Sequence, residues 1–403
     1  MNTRRFFLRS SALAVAGFGA APAWMQRAFA AEGTARKKVF VTIFQRGAAD
    51  GLNIVVPFTE KRYYALRPTI AIPEPGKDAG ALDLNGTFGL HPALRPLKDL
   101  YDQKLLAIVE ATGSPDPTRS HFDAQDYMES GTPGVKSTRD GWLNRSLSPA
   151  GAASPVRAVS MGPRLPRTLR GANPAVALNS VKDFRVSDDS ASMALQSMYA
   201  GSVDTELHGA GKDTFEAVKL LESLRKQNYA PGNGAQYPNG RLGANLMQIA
   251  QLIKADIGLE AAFADIGGWD HHTNETLQLN NLLREFGGAI GAFTQDLGDR
   301  MEEVVLVTMS EFGRTAHENG NRGTDHGHAN SMFVVGGNIA GGSIYGKWPG
   351  LEKEQLYEGR DLAITTDYRH VVSELIAGHL GRGDTSGVFP GFRNAGQKLG
   401  LLS

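Results

Sequence analysis

The chain has 403 residues, 42 of them basic and 42 acidic, and no cysteine. Without cysteine there are no disulfides, iron–sulfur clusters or thiolate zinc sites, so any metal must be held by imidazole, carboxylate, hydroxyl or backbone oxygen. The charge is balanced and no basic patch stands out, which excludes nucleic acid as an expected partner.

The N-terminus reads Thr3-Arg4-Arg5-Phe6-Phe7-Leu8-Arg9, the pattern recognised by the twin-arginine translocon. An apolar stretch from Ala12 to Trp24 follows, shorter than the roughly 20 residues that span a bilayer, and Ala28-Phe29-Ala30 supplies a small-x-small cleavage site. These features predict a signal peptide over 1–30 and a mature domain over 31–403 that starts at Ala31. The mature part has 38 basic and 42 acidic residues. The translocon is its expected partner during export. The product is expected in the periplasm or secreted, with no membrane anchor. Because this route carries folded proteins, it favours an enzyme that is loaded with its metal or cofactor before export, or one that folds fast.

Short, continuous, β-rich apolar runs predict strands buried on both faces at Val39 to Phe44, Leu105 to Val109, Val156 to Met161, Ala175 to Leu178, Ala261 to Ile266, Val304 to Met309 and Met332 to Val335. Helical patterns stand at His121 to Ser130, Thr214 to Gln227, Leu242 to Ile257, Leu277 to Asp299 and Tyr368 to Leu380. The alternation predicts one α/β domain with a doubly wound, mostly parallel sheet and helices on both faces. The glycine-rich polar stretch over 201–240 reads as a cap or surface insertion.

Four polar clusters follow predicted core strands directly, and in open parallel sheets such loops gather at the carboxyl edge where ligands bind. The first is Asp50, flanked by Arg46 and Asn53. The second is Arg119-Ser120-His121-Phe122, where Ser120 is placed either as a helix N-cap or as a nucleophile at the positive end of a helix. The third is Gly268-Trp269-Asp270-His271-His272, one acid and two imidazoles of which one is expected to bind a metal and the other to support it. The fourth is Ser310-Glu311-Phe312-Gly313-Arg314-Thr315 together with Gly323-Thr324-Asp325-His326-Gly327-His328. Six of the ten histidines, His121, His271, His272, His326, His328 and His317 between the two parts of the fourth cluster, fall in these loops, a sorting that core packing does not produce. No G-x-G-x-x-G fingerprint follows the first strand, so a flavin or nicotinamide enzyme is disfavoured.

Read in order, these motifs resemble the uncharacterised family numbered 1501 among the domains of unknown function, whose members commonly carry a twin-arginine signal. That family is similar to the alkaline phosphatase and sulfatase superfamily, which holds one or two divalent metals at the carboxyl edge of a doubly wound sheet. The resemblance implies Asp50, Asp270, His272, Asp325 and His326 as metal ligands, with Glu311 and His328 also placed among them. It puts Ser120 in the nucleophile's place. Where the superfamily shows Asp-His this chain has Ser310-Glu311, so the Asp325 to His328 loop corresponds either to that motif or to a later single-histidine motif. Ser120 lacks the sequence context that sulfatase maturation requires.

The expected function is an exported hydrolase of phosphate or sulfate esters that uses one or two ions of zinc, manganese, magnesium or calcium. Its substrate would be a small-molecule or polymeric ester. Ser120 or a metal-bound water is the expected nucleophile, and Ser120, His121, Arg46 and Arg314 are the expected catalytic residues, the arginines neutralising the substrate anion. A non-catalytic envelope binding or assembly protein on the same scaffold is the alternative, favoured by the unusual Glu311.

Overall fold

The structure is a computed structural model that describes residues 37–148, 154–182, 217, 220–225, 228–393 and 398–403. The expected signal peptide lies outside the described residues, as does half of the expected cap over 201–240. The predicted helix at Thr214 to Gln227 is helical where it is described, at Ala217 and over 220–225.

Twelve strands occur among the described residues. They are β1 (Val39–Gln45), β2 (Val55–Val56), β3 (Leu82–Asp83), β4 (Gly89–Leu90), β5 (Leu106–Gly113), β6 (Ala158–Met161), β7 (Val176–Leu178), β8 (Ala261–Ile266), β9 (Val304–Ser310), β10 (Asn330–Gly336), β11 (Ser343–Tyr345) and β12 (Thr366–Asp367). Nine form one sheet in the order β11-β5-β10-β9-β1-β8-β6-β7, with β12 also paired to β5. Every pairing is parallel except those of β10, which runs antiparallel to both β5 and β9. The fold is therefore the α/β class with a mostly parallel sheet that the strand–helix alternation predicts. A separate antiparallel sheet, β2-β4-β3, is built from two-residue strands, too short to show any period in the sequence.

β1 shows why the sheet is covered on both faces. Val39, Val41 and Ile43 point into one hydrophobic cluster, packed by Leu246 and Ile249 of the helix Arg241–Lys254 and by Leu283, Phe286 and Ile290 of the helix Glu275–Leu297. Phe40 and Phe44 point into the opposite cluster, packed by Val371, Val372 and Leu375 of the helix Tyr368–His379 and by Trp142. Successive side chains of a strand face opposite sides, so a strand apolar at every position must be covered on both. Truncating a fully buried phenylalanine such as Phe44 to alanine costs about 3–5 kcal/mol. Among the described residues no helix is long and apolar enough to cross a membrane.

Candidate metal centre

Register brings the loops together. Gln45 at the end of β1 pairs with Ile266 at the end of β8 on one side and with Ser310 at the end of β9 on the other. The chain leaves all three strands at one edge, into Arg46-Gly47, Gly267-Gly268 and Glu311. β10 runs the opposite way, so it enters the sheet at that same edge and carries residues 323–328 with it. β5 ends there too and leads to the helix His121–Ser130. Gly47 permits the close approach: it has φ of 118°, and a Cβ there would meet the Asp270 backbone nitrogen at 2.8 Å.

Three imidazoles and one carboxylate converge at this edge. His121 Nε2 lies 3.0 Å from His326 Nε2, and His272 Nε2 lies 3.1 Å from the same atom. Asp270 offers Oδ1 at 2.9 Å from His272 Nε2 and 3.2 Å from His326 Nε2, and Oδ2 at 3.5 Å from His121 Nε2. The other nitrogen of each ring meets an oxygen. His121 Nδ1 donates to Glu311 Oε1 at 2.8 Å, His272 Nδ1 to Asp325 Oδ1 at 3.0 Å, and His326 Nδ1 to the Arg119 carbonyl at 2.9 Å. Carboxylate and carbonyl oxygens only accept, so in the neutral rings the proton sits on Nδ1 and the lone pair on Nε2. Four electron-pair donors therefore face one another with no hydrogen between them.

That arrangement is repulsive by itself and suits a bound cation. Adjacent ligands on a tetrahedral ion with bonds of about 2.0–2.1 Å stand about 3.4 Å apart, close to the spacings found here. Histidines that bind metals characteristically give their second nitrogen to a carboxylate or carbonyl, as all three do. His121, Asp270 and His326 have ligand atoms that all lie within 4.8 Å of one another, and His272 Nε2 adjoins two of the three, His326 and Asp270.

Two of the supports, Glu311 and Arg314, are buried while the ligand face is open. Asp270 is 43% exposed, whereas Glu311 and Arg314 have no exposed side-chain surface. Burial works to raise the Glu311 carboxyl, but hydrogen bonds from His121, Gln125 and the Gly47 N–H hold it below the usual carboxylate range. The Glu311 hydrogen bond in turn raises His121, against burial. Burial also works to raise Asp270, and the Arg314 guanidinium, donating from Nη1 to Oδ1 at 2.6 Å, keeps it below the usual range. Burial lowers His326, which keeps its ring neutral.

Residues 107–388 match the family model described as "Protein of unknown function (DUF1501)". The chain belongs to the DUF1501 family. No curated protein matches it. Three solved structures are similar in part. They are the crystal structure of Ps i-CgsB in complex with k-i-k-neocarrahexaose (10% identity, 86% of this chain and 72% of that chain covered, TM-score 0.39), the PH0037 protein from Pyrococcus horikoshii (13%, 75% and 87%, 0.32) and the lipoteichoic acid synthase LtaP from Listeria monocytogenes (8%, 77% and 71%, 0.32). All three scores lie below 0.5.

In this DUF1501 chain several expected site residues stand away from the four converging atoms. Asp50 is buried and gripped from both oxygens by Arg67, at 2.5 and 2.8 Å, which leaves its carboxylate no open face for a metal. His328 is buried and stacked on Tyr357 with ring centroids 4.2 Å apart. Glu311 and Asp325 touch the cluster through the Nδ1 atoms of His121 and His272, as supports of the rings. Arg314 is buried against Asp270 and Thr324 and presents no free guanidinium face. Arg46 is held by Asp265, Gln125 and Glu129. Ser120 sits at the N-cap of the helix His121–Ser130 and is exposed, yet its side chain makes no capping bond. Gln125, which the sequence reading passed over, links Glu311 to Arg46. The signal for it was the i, i+4 spacing from His121, which puts both on one helix face.

Proposed function

We propose that this DUF1501 protein is an exported, metal-dependent hydrolase of phosphate or sulfate esters. The observation that carries the reading is the convergence of the three Nε2 lone pairs of His121, His272 and His326 on the Asp270 carboxylate. His121, Asp270 and His326 would hold one divalent cation, with His272 as the adjoining fourth ligand. Three imidazoles and one carboxylate suit zinc, while magnesium and calcium prefer oxygen ligands. When bound, the cation supplies Lewis-acid polarisation of a phosphoryl or sulfuryl oxygen.

The chain's own residues do the rest. Glu311 and Asp325 fix the orientation of His121 and His272 and keep each Nδ1 protonated. Arg314 keeps Asp270 ionised. Ser120, exposed at the start of its helix and free of a capping bond, is the nucleophile. The open N–H groups of that helix end favour the approaching ester anion. The Ser120 hydroxyl gives its proton to solvent water as its oxygen bonds to phosphorus or sulfur, the ester oxygen leaves and takes up a proton from water, and a water then cleaves the seryl ester, releasing phosphate or sulfate and reprotonating Ser120. The motif order shared with the alkaline phosphatase and sulfatase superfamily supports the same reaction class. Glu311, the residue that favoured a non-catalytic scaffold, also fits a supporting role beside His121.

A screen of aryl phosphates and aryl sulfates tests the proposal. The expected result is turnover of at least one class, lowered about a thousandfold or more by Ser120→Ala with metal content unchanged. No turnover of either class by metal-loaded protein contradicts it.

A further inference from the structure

Beside the metal centre, along the same sheet edge, lies a cleft of about 530 Å³ over the ends of β8 and β6. Five arginines line it: Arg46, Arg164, Arg167, Arg170 and Arg241. Its three acids, Asp126, Glu129 and Asp265, leave a net charge of +2. The acids are already committed. Asp126 pairs with Arg167, Glu129 with Arg46, and Asp265 with Arg46 and Arg241. Arg164 and Arg170 are both exposed. Among the described residues Arg164 has no hydrogen-bond or ion-pair partner. Arg170 donates only its Nε–H, to the Leu165 carbonyl. Both belong to the loop Gly162-Pro163-Arg164-Leu165-Pro166-Arg167-Thr168-Leu169-Arg170, which repeats arginine every third residue after β6. The 3-10 turn Arg167–Leu169 and two prolines stiffen it, so the guanidinium groups are presented on an ordered loop.

The cleft and the metal centre share a wall. Phe122 follows His121, lines the cleft and is 90% exposed. Gln125 lines the cleft and donates to Glu311 Oε1, the oxygen that also accepts from His121. An arginine fork matches two oxygens of a phosphate or sulfate, and neither Arg164 nor Arg170 is paired with an acid of the cleft, which leaves both charges for an anion.

We propose that this cleft binds a second phosphate or sulfate group of an oligoanionic substrate, one whose scissile ester lies at the metal centre. The position of the scissile ester rests on the hydrolase reading; anion binding in the cleft does not. The preferred substrates then carry anionic groups at intervals along their length, and simple monoesters are poor ones.

Binding of tripolyphosphate and of a sulfated disaccharide to the chain from Ala31 tests this by titration calorimetry, with metal content measured on each sample. The two probes separate a phosphate-bearing from a sulfate-bearing ligand. Arg164→Ala with Arg170→Ala should weaken whichever probe binds by tenfold or more and leave metal content and Tm unchanged. Lys61→Ala with Lys353→Ala removes two exposed charges outside the cleft and should change affinity less than twofold. Equal binding by wild type and the arginine variant overturns the proposal, as does failure of wild type to bind either probe. Metal-free wild type that binds through Arg164 and Arg170 overturns the hydrolase reading and leaves the cleft standing. Metallated wild type whose binding ignores these arginines does the reverse.

Discussion

His121 Nε2 and His326 Nε2 lie 3.0 Å apart, and each ring has its proton on the far nitrogen, held by Glu311 in one case and by the Arg119 carbonyl in the other. Two lone pairs at that distance repel, and the chain brings them together from loops in which His121 and His326 are 205 residues apart in sequence. The same relationship recurs between His326 and His272. Such a cluster suits a cation at its centre.

Glu311 is the support most easily isolated. Its carboxylate is buried and accepts from His121, Gln125 and the Gly47 N–H. Glu311→Ala should weaken metal affinity by about 10–100-fold, the usual cost of losing a partner behind a ligand histidine. Glu311→Gln keeps an acceptor for His121 and should lose less. Competition with a chromogenic chelator measures both, and an Ala variant with wild-type affinity contradicts the role.

Asp50 and Arg67 form a bidentate ion pair with almost no exposed surface. Removing one partner leaves the other charged and buried, so Arg67→Ala and Asp50→Asn should each destabilise the fold by about 3–5 kcal/mol in chemical denaturation. Folded Asp50→Asn should retain the wild-type metal content. Loss of metal from a still folded Asp50→Asn would make Asp50 a ligand.

Glu110 on β5 is buried with Oε1 unpartnered, and burial raises its carboxyl to about 8 from the ordinary 4.5. The folded state keeps this proton across that interval while the unfolded chain loses it, so the contribution to stability falls as pH rises from 4.5 to 8. At about 1.4 kcal/mol per pH unit the loss is about 3 kcal/mol at pH 7. His91 and His379 act in the opposite sense: burial lowers both to about 4, so their contribution is lost as pH falls from 6.5 through 4. The difference between Glu110→Gln and wild type isolates the carboxyl. It should be near zero below pH 4.5, grow in favour of the variant up to pH 8 and then level off. A pH-independent difference contradicts the buried neutral carboxyl.

Export is tested at the other end of the chain. Arg4→Lys with Arg5→Lys should leave an uncleaved precursor in the cytoplasm, while wild type should yield a soluble product beginning at Ala31. Fractionation with N-terminal sequencing reads both, and release of the variant in mature form contradicts a twin-arginine signal.

The core strands and the helices around them were legible because each buried strand is a continuous apolar run and each long helix has a 3.6-residue period. The helix His121–Ser130 appears with the expected bounds, ended by Gly131 in the left-handed region. The reversed direction of β10 was not legible, since an apolar run reads the same either way. Which polar residues converge was legible only in part. Asp270, His272 and His326 are marked by their loop positions. Asp50 has the same marking, yet its fate is decided by Arg67, 17 residues away at the end of a short helix that no motif singles out. The sequence also gave no sign that Glu311 and Asp325 would face the Nδ1 side of their histidines rather than the open centre.

The most direct measurement is the metal content of purified wild type, prepared without chelator, beside His326→Ala and Asp270→Ala. His326 carries the atom nearest both other imidazoles, and Asp270 is the carboxylate all three face. Mass spectrometry of the metals should find about one equivalent of a divalent ion in wild type and a loss of most of it in each variant. A folded wild type with no stoichiometric metal, or variants that keep all of it, would contradict the metal centre and with it the proposed chemistry.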